Sequence, residues 1–386
     1  MSDAHTRAPM VSILLCCAAG ACGPIMDERL PDRTERVRAY LSALVAQSKV
    51  PGIQYLVMDS TRTLFEYDGG WADIRGHVPM ESSTTMMAYS MSKTITAAAV
   101  LRLVEARRIG LDDPLDRYVA SSPYGPSVTV RQLVSHTSGI PNPIPLRWVH
   151  AAARHAAFDE NAALAAVLRE YHELRFPPGT KYAYSNMGYW LLGRVVESAS
   201  GEAFTSYVTE HVLSPLGISP QELGFAILDS AHHAAGYLEK YSLLNLVKGF
   251  LIDSELVGGY EGPWLRIRSH YPNGPAFGGL VGTARGFGTF LQDQLRQHSA
   301  IFNDTTRALF FEPQRTAQGR DVLMTLGWHI GDLGGMRFFY KEGGGGGFHT
   351  MMRVYPAYGL ATVVITNATG FNVNRCLNTL DRQFLP

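Results

Sequence analysis

The apolar residues change their period along the chain, and the changes outline an architecture. Over residues 32–46, Val37, Tyr40, Leu41, Leu44 and Val45 fall on one helical face, which predicts an amphipathic helix. Pro51-Gly52 marks a turn. Alternation over residues 53–59 and 63–68 predicts an antiparallel hairpin turned at 59–62, with 71–75 as a third short piece. From Thr94 the period becomes helical through Leu101, Leu103 and Val104, and Gly110 and Pro114 end that run. Further helical stretches are predicted at 148–172, 191–200, 204–216 and 284–297. Strand patterns return at 323–330 and 336–340, joined by a turn at 331–335, and again at 351–355 and 360–367. Residues 372–384 fit a closing helix.

Strand signals therefore lie at both ends and helical signals in the middle. This predicts an α/β (α+β) fold: an antiparallel sheet flanked by helices, built from both termini, with a mostly helical domain inserted. The sheet unit is expected at about 33–100 and 321–386, and the helical unit at about 101–320. Residues 241–252 are apolar on most sides but too short to span a bilayer. Core packing is the expectation there, with a lid or acyl-chain wall as the alternative. There is no internal repeat and no low-complexity linker.

Composition narrows the classes. Hydrophobic residues make up 46% and charged residues 18%, which excludes a disordered chain. Lys plus Arg (34) equals Asp plus Glu (34), so the basic excess of a nucleic-acid binder is missing. Of four cysteines, Cys16, Cys17 and Cys22 lie near the N-terminus, and Cys376 stands alone in the body. No Cys/His cluster has metal-ligand spacing, so neither metal nor cofactor is expected.

Residues 1–32 read as a leader. Residues 9–26 carry no charge, 10–15 are strongly apolar, and Ala18, Ala19, Gly20 and Ala21 precede Cys22. The expectation is export to the periplasm, or membrane attachment through lipid at Cys22. A leucine is usual where Ala19 stands, and the basic start is poor, so a cytoplasmic tail is the alternative.

Candidate chemistry begins with Ser90 and Lys93, three apart on one helical face. An unaided serine is a poor nucleophile, but a lysine beside it that burial deprives of its proton is a base. Tyr184 and Asn186 are two apart, so in an extended segment both point to one side. A phenol and an amide facing one cavity suit proton transfer and carbonyl recognition. His136, in Ser135-His136-Thr137-Ser138-Gly139, is read as a structural histidine holding loop backbone rather than as a base.

In order, the chain carries Ser90-x-x-Lys93, Tyr184-x-Asn186 and Lys341-x-Gly343. This set resembles the serine β-lactamase and penicillin-binding protein superfamily. The tyrosine in the second motif resembles the class C β-lactamase-like branch, which also holds esterases and D-amino-acid peptidases. The resemblance runs from about residue 33 to the C-terminus. It includes Phe176-Pro177-Pro178-Gly179 and Gly278-Gly279-Leu280-Val281.

The resemblance implies a five-stranded antiparallel sheet beside a helical domain, with the site between them. It implies Ser90 as acylated nucleophile and Lys93 with Tyr184 sharing the base role. Asn186 would hold Lys93 and the substrate's amide or carbonyl. Lys341, Glu342 and Gly343 would line the substrate site. The backbone N–H groups of Ser90 and Gly344 would form the oxyanion hole. Glu342 departs from the pattern, because relatives that cleave lactams and peptides usually place Thr or Ser there. A carboxylate would repel a substrate carboxylate. Residues 343–347, all glycine, are expected to leave the strand edge bare for a bulky substrate. The favoured activity is therefore an esterase, with a small-molecule ester as partner. A β-lactamase or D-Ala-type peptidase on the same site is the alternative, and a non-catalytic binding protein is the third.

Overall fold

The computed structural model describes residues 24–143 and 148–386. The apolar run at 10–15, the small residues before Cys22 and Cys22 itself, on which export and lipid attachment rest, lie outside the described residues.

The main sheet holds β1 (Gly52–Met58), β2 (Thr63–Asp73), β3 (Val78–Pro79), β4 (His329–Leu333), β5 (Met336–Gly345), β6 (Phe348–Tyr355) and β7 (Leu360–Thr366). Their order is β4-β5-β6-β7-β1-β2-β3, antiparallel throughout. The two ends of the chain meet at β1 and β7, where Ile53 faces Thr366 and Met58 faces Ala361. The fold class is thus the α/β sheet built from both termini. The count is seven rather than five, because β3 and β4 extend the edges.

Two sequence expectations shift by a few residues. The piece at 71–75 is the end of β2, not a separate strand. The strand expected at 323–330 forms at His329–Leu333 instead. Gly327 takes φ +103, which only glycine tolerates comfortably, and breaks the extended run before it. Gly334 and Gly335, at φ +67 and +89, then make a two-residue hairpin turn between Leu333 and Met336.

Every residue of β1 is buried because both sheet faces are covered. Ile53, Tyr55 and Val57 pack in one core cluster with α1 (Arg33–Ala46) and Leu377 and Leu380 of the closing helix Val373–Asp381. Leu56 and Met58, on the alternate face, pack with Phe287, Phe290 and Leu291 of the helix Ala284–Leu295. That helix comes from the middle of the sequence yet lies on the sheet, so the sheet unit draws on more than the two ends.

The helical part centres on α2 (Ser92–Glu105), which is buried along nearly its whole length and packs against α3 (Asn186–Ser200). Other helical expectations shorten. Within 148–172, Val149–Ala151 is a strand paired with His270–Pro272, and the helix is confined to Glu160–Glu170 behind its Asp159 cap. Within 204–216, α-helix holds over Phe204–Val208 and then widens over Thr209–Leu213 before Gly217 ends it.

Core packing, expected at 241–252, is overturned at three of the described side chains. Tyr241, Leu243 and Leu246 are 83%, 64% and 82% exposed. Among the described side chains of this stretch, Leu244 and Ile252 pack against the small cluster of Leu238, Leu265 and Ile267. Two single-turn helices, Leu243–Leu246 and Lys248–Leu251, are too short to bury a whole apolar face. Among the described residues, no helix is long and apolar enough to cross a membrane.

Candidate active site

The Ser90 turn enters α2 through a tight turn at Tyr89–Met91. Segment 275–280 pins it from outside. Ala88 N–H donates to the Leu280 carbonyl (2.9 Å), and Leu280 N–H donates to Ser92 Oγ (3.0 Å). Thr96 Oγ donates to the Ala276 carbonyl (2.7 Å). These bonds bring the Phe277 carbonyl to the Lys93 side chain.

Lys93 Nζ contacts Ser90 Oγ at 2.9 Å, Asn186 Oδ1 at 2.7 Å and the Phe277 carbonyl at 2.5 Å. A proton count gives this arrangement its meaning. The Phe277 carbonyl and Asn186 Oδ1 only accept. A neutral amine spends its two protons on them and turns its lone pair toward Ser90. Burial drives Lys93 well below the ordinary lysine range, and the nearby Lys341 charge adds to the shift.

Tyr184 Oη donates to Ser90 Oγ at 2.7 Å. Desolvation pushes the phenol's pKa upward, so it holds its proton. Asn186 begins α3, whose N-cap is Ser185. Its backbone N–H and its Nδ2 both donate to Asn142 Oδ1 at 3.0 Å, which leaves Oδ1 for Lys93. Ser90 and Tyr184 remain partly exposed while Lys93, Asn186 and Lys341 are buried, so a ligand reaches the hydroxyls first.

His136 sits behind this set. Its Nδ1 accepts the Ser185 N–H (3.1 Å), and its ring centre lies 4.4 Å from that of Tyr184, with the planes tilted by 36°. It holds loop backbone and supports the phenol, and burial keeps it neutral.

The strand β5 forms the opposite wall. Lys341 is wholly buried, with its Nζ 5.4 Å from the Tyr184 ring centre and 5.7 Å from that of Tyr189. Among the described residues that nitrogen has no hydrogen-bond partner. Burial lowers its pKa to about 7.

Glu342, one residue on, starts from the other strand face. Its Oε1 lies 2.7 Å from His349 Nε2 on β6. Residues 343 and 345 face the serine turn. A Cβ on Gly343 would lie 2.2 Å from the Ala88 carbonyl oxygen and 2.9 Å from Ser90 N, and one on Gly345 would enter the Tyr89 ring. These two glycines therefore admit the serine turn itself, not the bulky substrate expected from sequence. Gly344 lies between them, beside the His349 ring.

Four contributors had no place in the sequence reading: Asn142, the Phe277 carbonyl, His329 and His349. His329 Nε2 lies 3.1 Å from Tyr182 Oη, and its ring faces Tyr184 and Tyr340.

The beta-lactamase family model matches residues 37–384. The chain belongs to the beta-lactamase family. This family is one of serine hydrolases, and the site above lies wholly within the matched residues of this member. Protein flp of Staphylococcus aureus (strain MW2) is 26% identical over 213 residues, 53% of this chain and 41% of that protein. Penicillin-binding protein 4* of Bacillus subtilis (strain 168) is 24% identical over 309 residues, 79% of this chain and 65% of that one. The chain thus spans less than two thirds of the length of either curated relative.

Solved structures share the fold. An octameric penicillin-binding protein homologue from Pyrococcus abyssi superposes with TM-score 0.72 at 22% identity, over 89% of this chain and 75% of that one. D-amino acid amidase from Ochrobactrum anthropi SV3, complexed with D-phenylalanine, gives TM-score 0.72 at 18% identity, over 92% and 99%. EstCE1, a hydrolase with promiscuous acyltransferase activity, gives 0.67 at 20% identity, over 91% and 98%.

Proposed function

We propose that this protein hydrolyses carboxylic esters through an acyl-enzyme on Ser90. The observation that carries the reading is the pair of contacts on Ser90 Oγ, one from the lone pair of Lys93 and one from the proton of Tyr184. Lys93 takes the hydroxyl proton as Oγ attacks the carbonyl carbon and the C=O electrons move to oxygen. The N–H groups of Ser90 and Gly344 receive that oxyanion. The tetrahedral centre collapses, the C–O bond to the leaving alcohol breaks, and Tyr184 gives the alcohol its proton. Lys93 then gives the proton it took to the Tyr184 phenolate, which restores the phenol and the neutral amine. Water then repeats the sequence and releases the acid. Asn186 holds the lysine in line throughout.

Esters without a free carboxylate suit the wall that carries Glu342. A lactam or terminal-peptide substrate is the second reading, and one observation supports it: Lys341 Nζ, which has no hydrogen-bond partner among the described residues, would suit a substrate anion. Intact mass after a fluorophosphonate or a penicillin tests both readings. One adduct is expected on the fluorophosphonate-treated protein and none on Ser90→Ala. Undiminished p-nitrophenyl ester turnover by purified Ser90→Ala would overturn the proposal.

A further inference from the structure

Tyr89, the residue before Ser90, carries a hydroxyl that the mechanism above does not use. Its φ of +46 is sterically disfavoured for a side chain of this size, so the turn must be held by its contacts. Its Oη lies 2.8 Å from the Gly346 carbonyl oxygen and 2.8 Å from His270 Nε2. His270 Nδ1 lies 2.8 Å from the Arg268 carbonyl oxygen.

The protons on this chain can be counted. The two carbonyl oxygens only accept, and a phenol has one proton to give. If Tyr89 donates to Gly346, Nε2 must donate to Tyr89. Nδ1 must also donate, to Arg268. Only an imidazolium satisfies all three contacts. A neutral His270 that keeps its bond to Arg268 takes the Tyr89 proton at Nε2 and releases the Gly346 carbonyl. Gly346 stands two residues past Gly344, and the Tyr89 ring lies against Gly345 between them.

We propose that Tyr89 and His270 are positioning residues that tie the serine turn to the end of β5, and that the tie is complete only while His270 is protonated. The inference rests on the acyl-Ser90 reading. The tie would fix the distance between the Ser90 and Gly344 N–H groups, on which stabilisation of a developing oxyanion depends.

The titratable groups around the imidazole are Tyr89 on the serine turn, His150 on the strand paired with it, and His233 beside β6's Phe348. Burial raises the Tyr89 phenol and lowers His150, and it lowers His233 to about 4. None of these supplies a negative charge near neutral pH. Burial lowers His270 as well, against a smaller upward pull from its bond to the Arg268 carbonyl. The tie therefore belongs to the acid side of the range and loosens as pH rises through the His270 pKa.

The experiment is the ratio of kcat for wild type over Tyr89→Phe, on one neutral ester, from pH 5 to pH 9. Phenylalanine keeps the ring against Gly345 and removes only the hydroxyl. Protonation of Lys93 affects both proteins and cancels in the ratio. A ratio of about tenfold is expected at the acid end, falling toward unity at the alkaline end, with KM unchanged. His270→Gln keeps a permanent donor for Tyr89, so its rate relative to wild type should rise with pH and exceed unity at the alkaline end. In wild type, ¹⁵N spectra of the His270 ring should show both nitrogens protonated at pH 5.

A pH-independent ratio, or a neutral His270 ring at pH 5, would overturn the inference. Failure of wild type to form a Ser90 adduct would instead overturn the acyl-enzyme reading, and the ¹⁵N result would stand apart from it. Thermal melts of both variants check that each is folded before rates are compared.

Discussion

Two lysines are buried in the same cleft, one on each wall, and they are handled in opposite ways. Lys93, on the helical wall, has three oxygen atoms around its nitrogen. Lys341, on the sheet wall, has none among the described residues. Both are wholly buried, and burial lowers the pKa of both. A buried ammonium without partners is costly, and the folded protein tolerates it only where something else is gained. The two lysines are thus suited to different work. The two acceptors on Lys93 hold its amine against Ser90 Oγ, as the proposed base role requires. Lys341 supplies an electrostatic field, lowering Lys93's proton affinity and waiting for a ligand.

Removing each lysine in turn should therefore give different kinds of loss. Lys93→Ala should lower kcat/KM for esters by about a thousandfold, within the usual range for a general base, and leave the fold intact. Stopped-flow acylation would check this, and a loss below tenfold would transfer the base role to Tyr184.

Lys341→Met should cost less, about tenfold, and should change the pH profile. Without the neighbouring charge, the Lys93 pKa rises, so the acid limb of kcat/KM should move to higher pH. Stability gives the same variant a second readout. The folded-state pKa of Lys341 is about 7, below its ordinary value of 10.5. Between those values the unfolded chain binds the extra proton, so wild-type stability rises with pH across that window. The slope is about 1.4 kcal/mol per pH unit. Below pH 7 both states are protonated and the penalty is present in full. Urea unfolding of the two proteins at pH 6 and pH 10 should show Lys341→Met the more stable at the lower pH, with the gap closing at the higher. A constant gap would mean that Lys341 stays charged.

The smallest effect is expected at Glu342, which starts from the strand face opposite Lys341 and lies against His349. Glu342→Thr should raise the ratio of lactam to ester kcat/KM by about fivefold, equivalent to about 1 kcal/mol of like-charge repulsion. If the ratio does not move, Glu342, held against His349, points away from the docked substrate, and substrates bearing a carboxylate regain equal standing.

How much of this was legible in the sequence differs by residue. Ser90 and Lys93 were legible because helical spacing alone puts them on one face. Tyr184 and Asn186 were legible as a pair, but not the orientation of the Asn186 amide, which depends on Asn142 reaching back from a loop over forty residues earlier. The Phe277 carbonyl carries no side-chain signal, and only the bonds of Leu280 and Thr96 bring it to Lys93. The glycines after Glu342 were visible as a run, yet their reason was not. It lies in the Ser90 turn, some 250 residues away in sequence. The exposed Tyr241, Leu243 and Leu246 misled the reading because apolar composition does not say which neighbours arrive to cover it. Strand edges moved for a local cause, the positive φ of glycines at 327, 334 and 335.

The pairing of β1 with β7 also bears on how the protein is made. Ile53 finds Thr366 only after about 300 further residues have left the ribosome. At translation rates of about 5–20 residues per second, the first hairpin waits roughly 15–60 s for its central neighbour. During that time one long edge of β1 is an open template for pairing with another nascent chain. Any product that stops before β5 lacks the wall that carries Lys341, so a truncated chain would present the serine turn without its counterpart. A complete cleft in this architecture requires that synthesis run past β7, and chaperone demand should fall on the N-terminal hairpin.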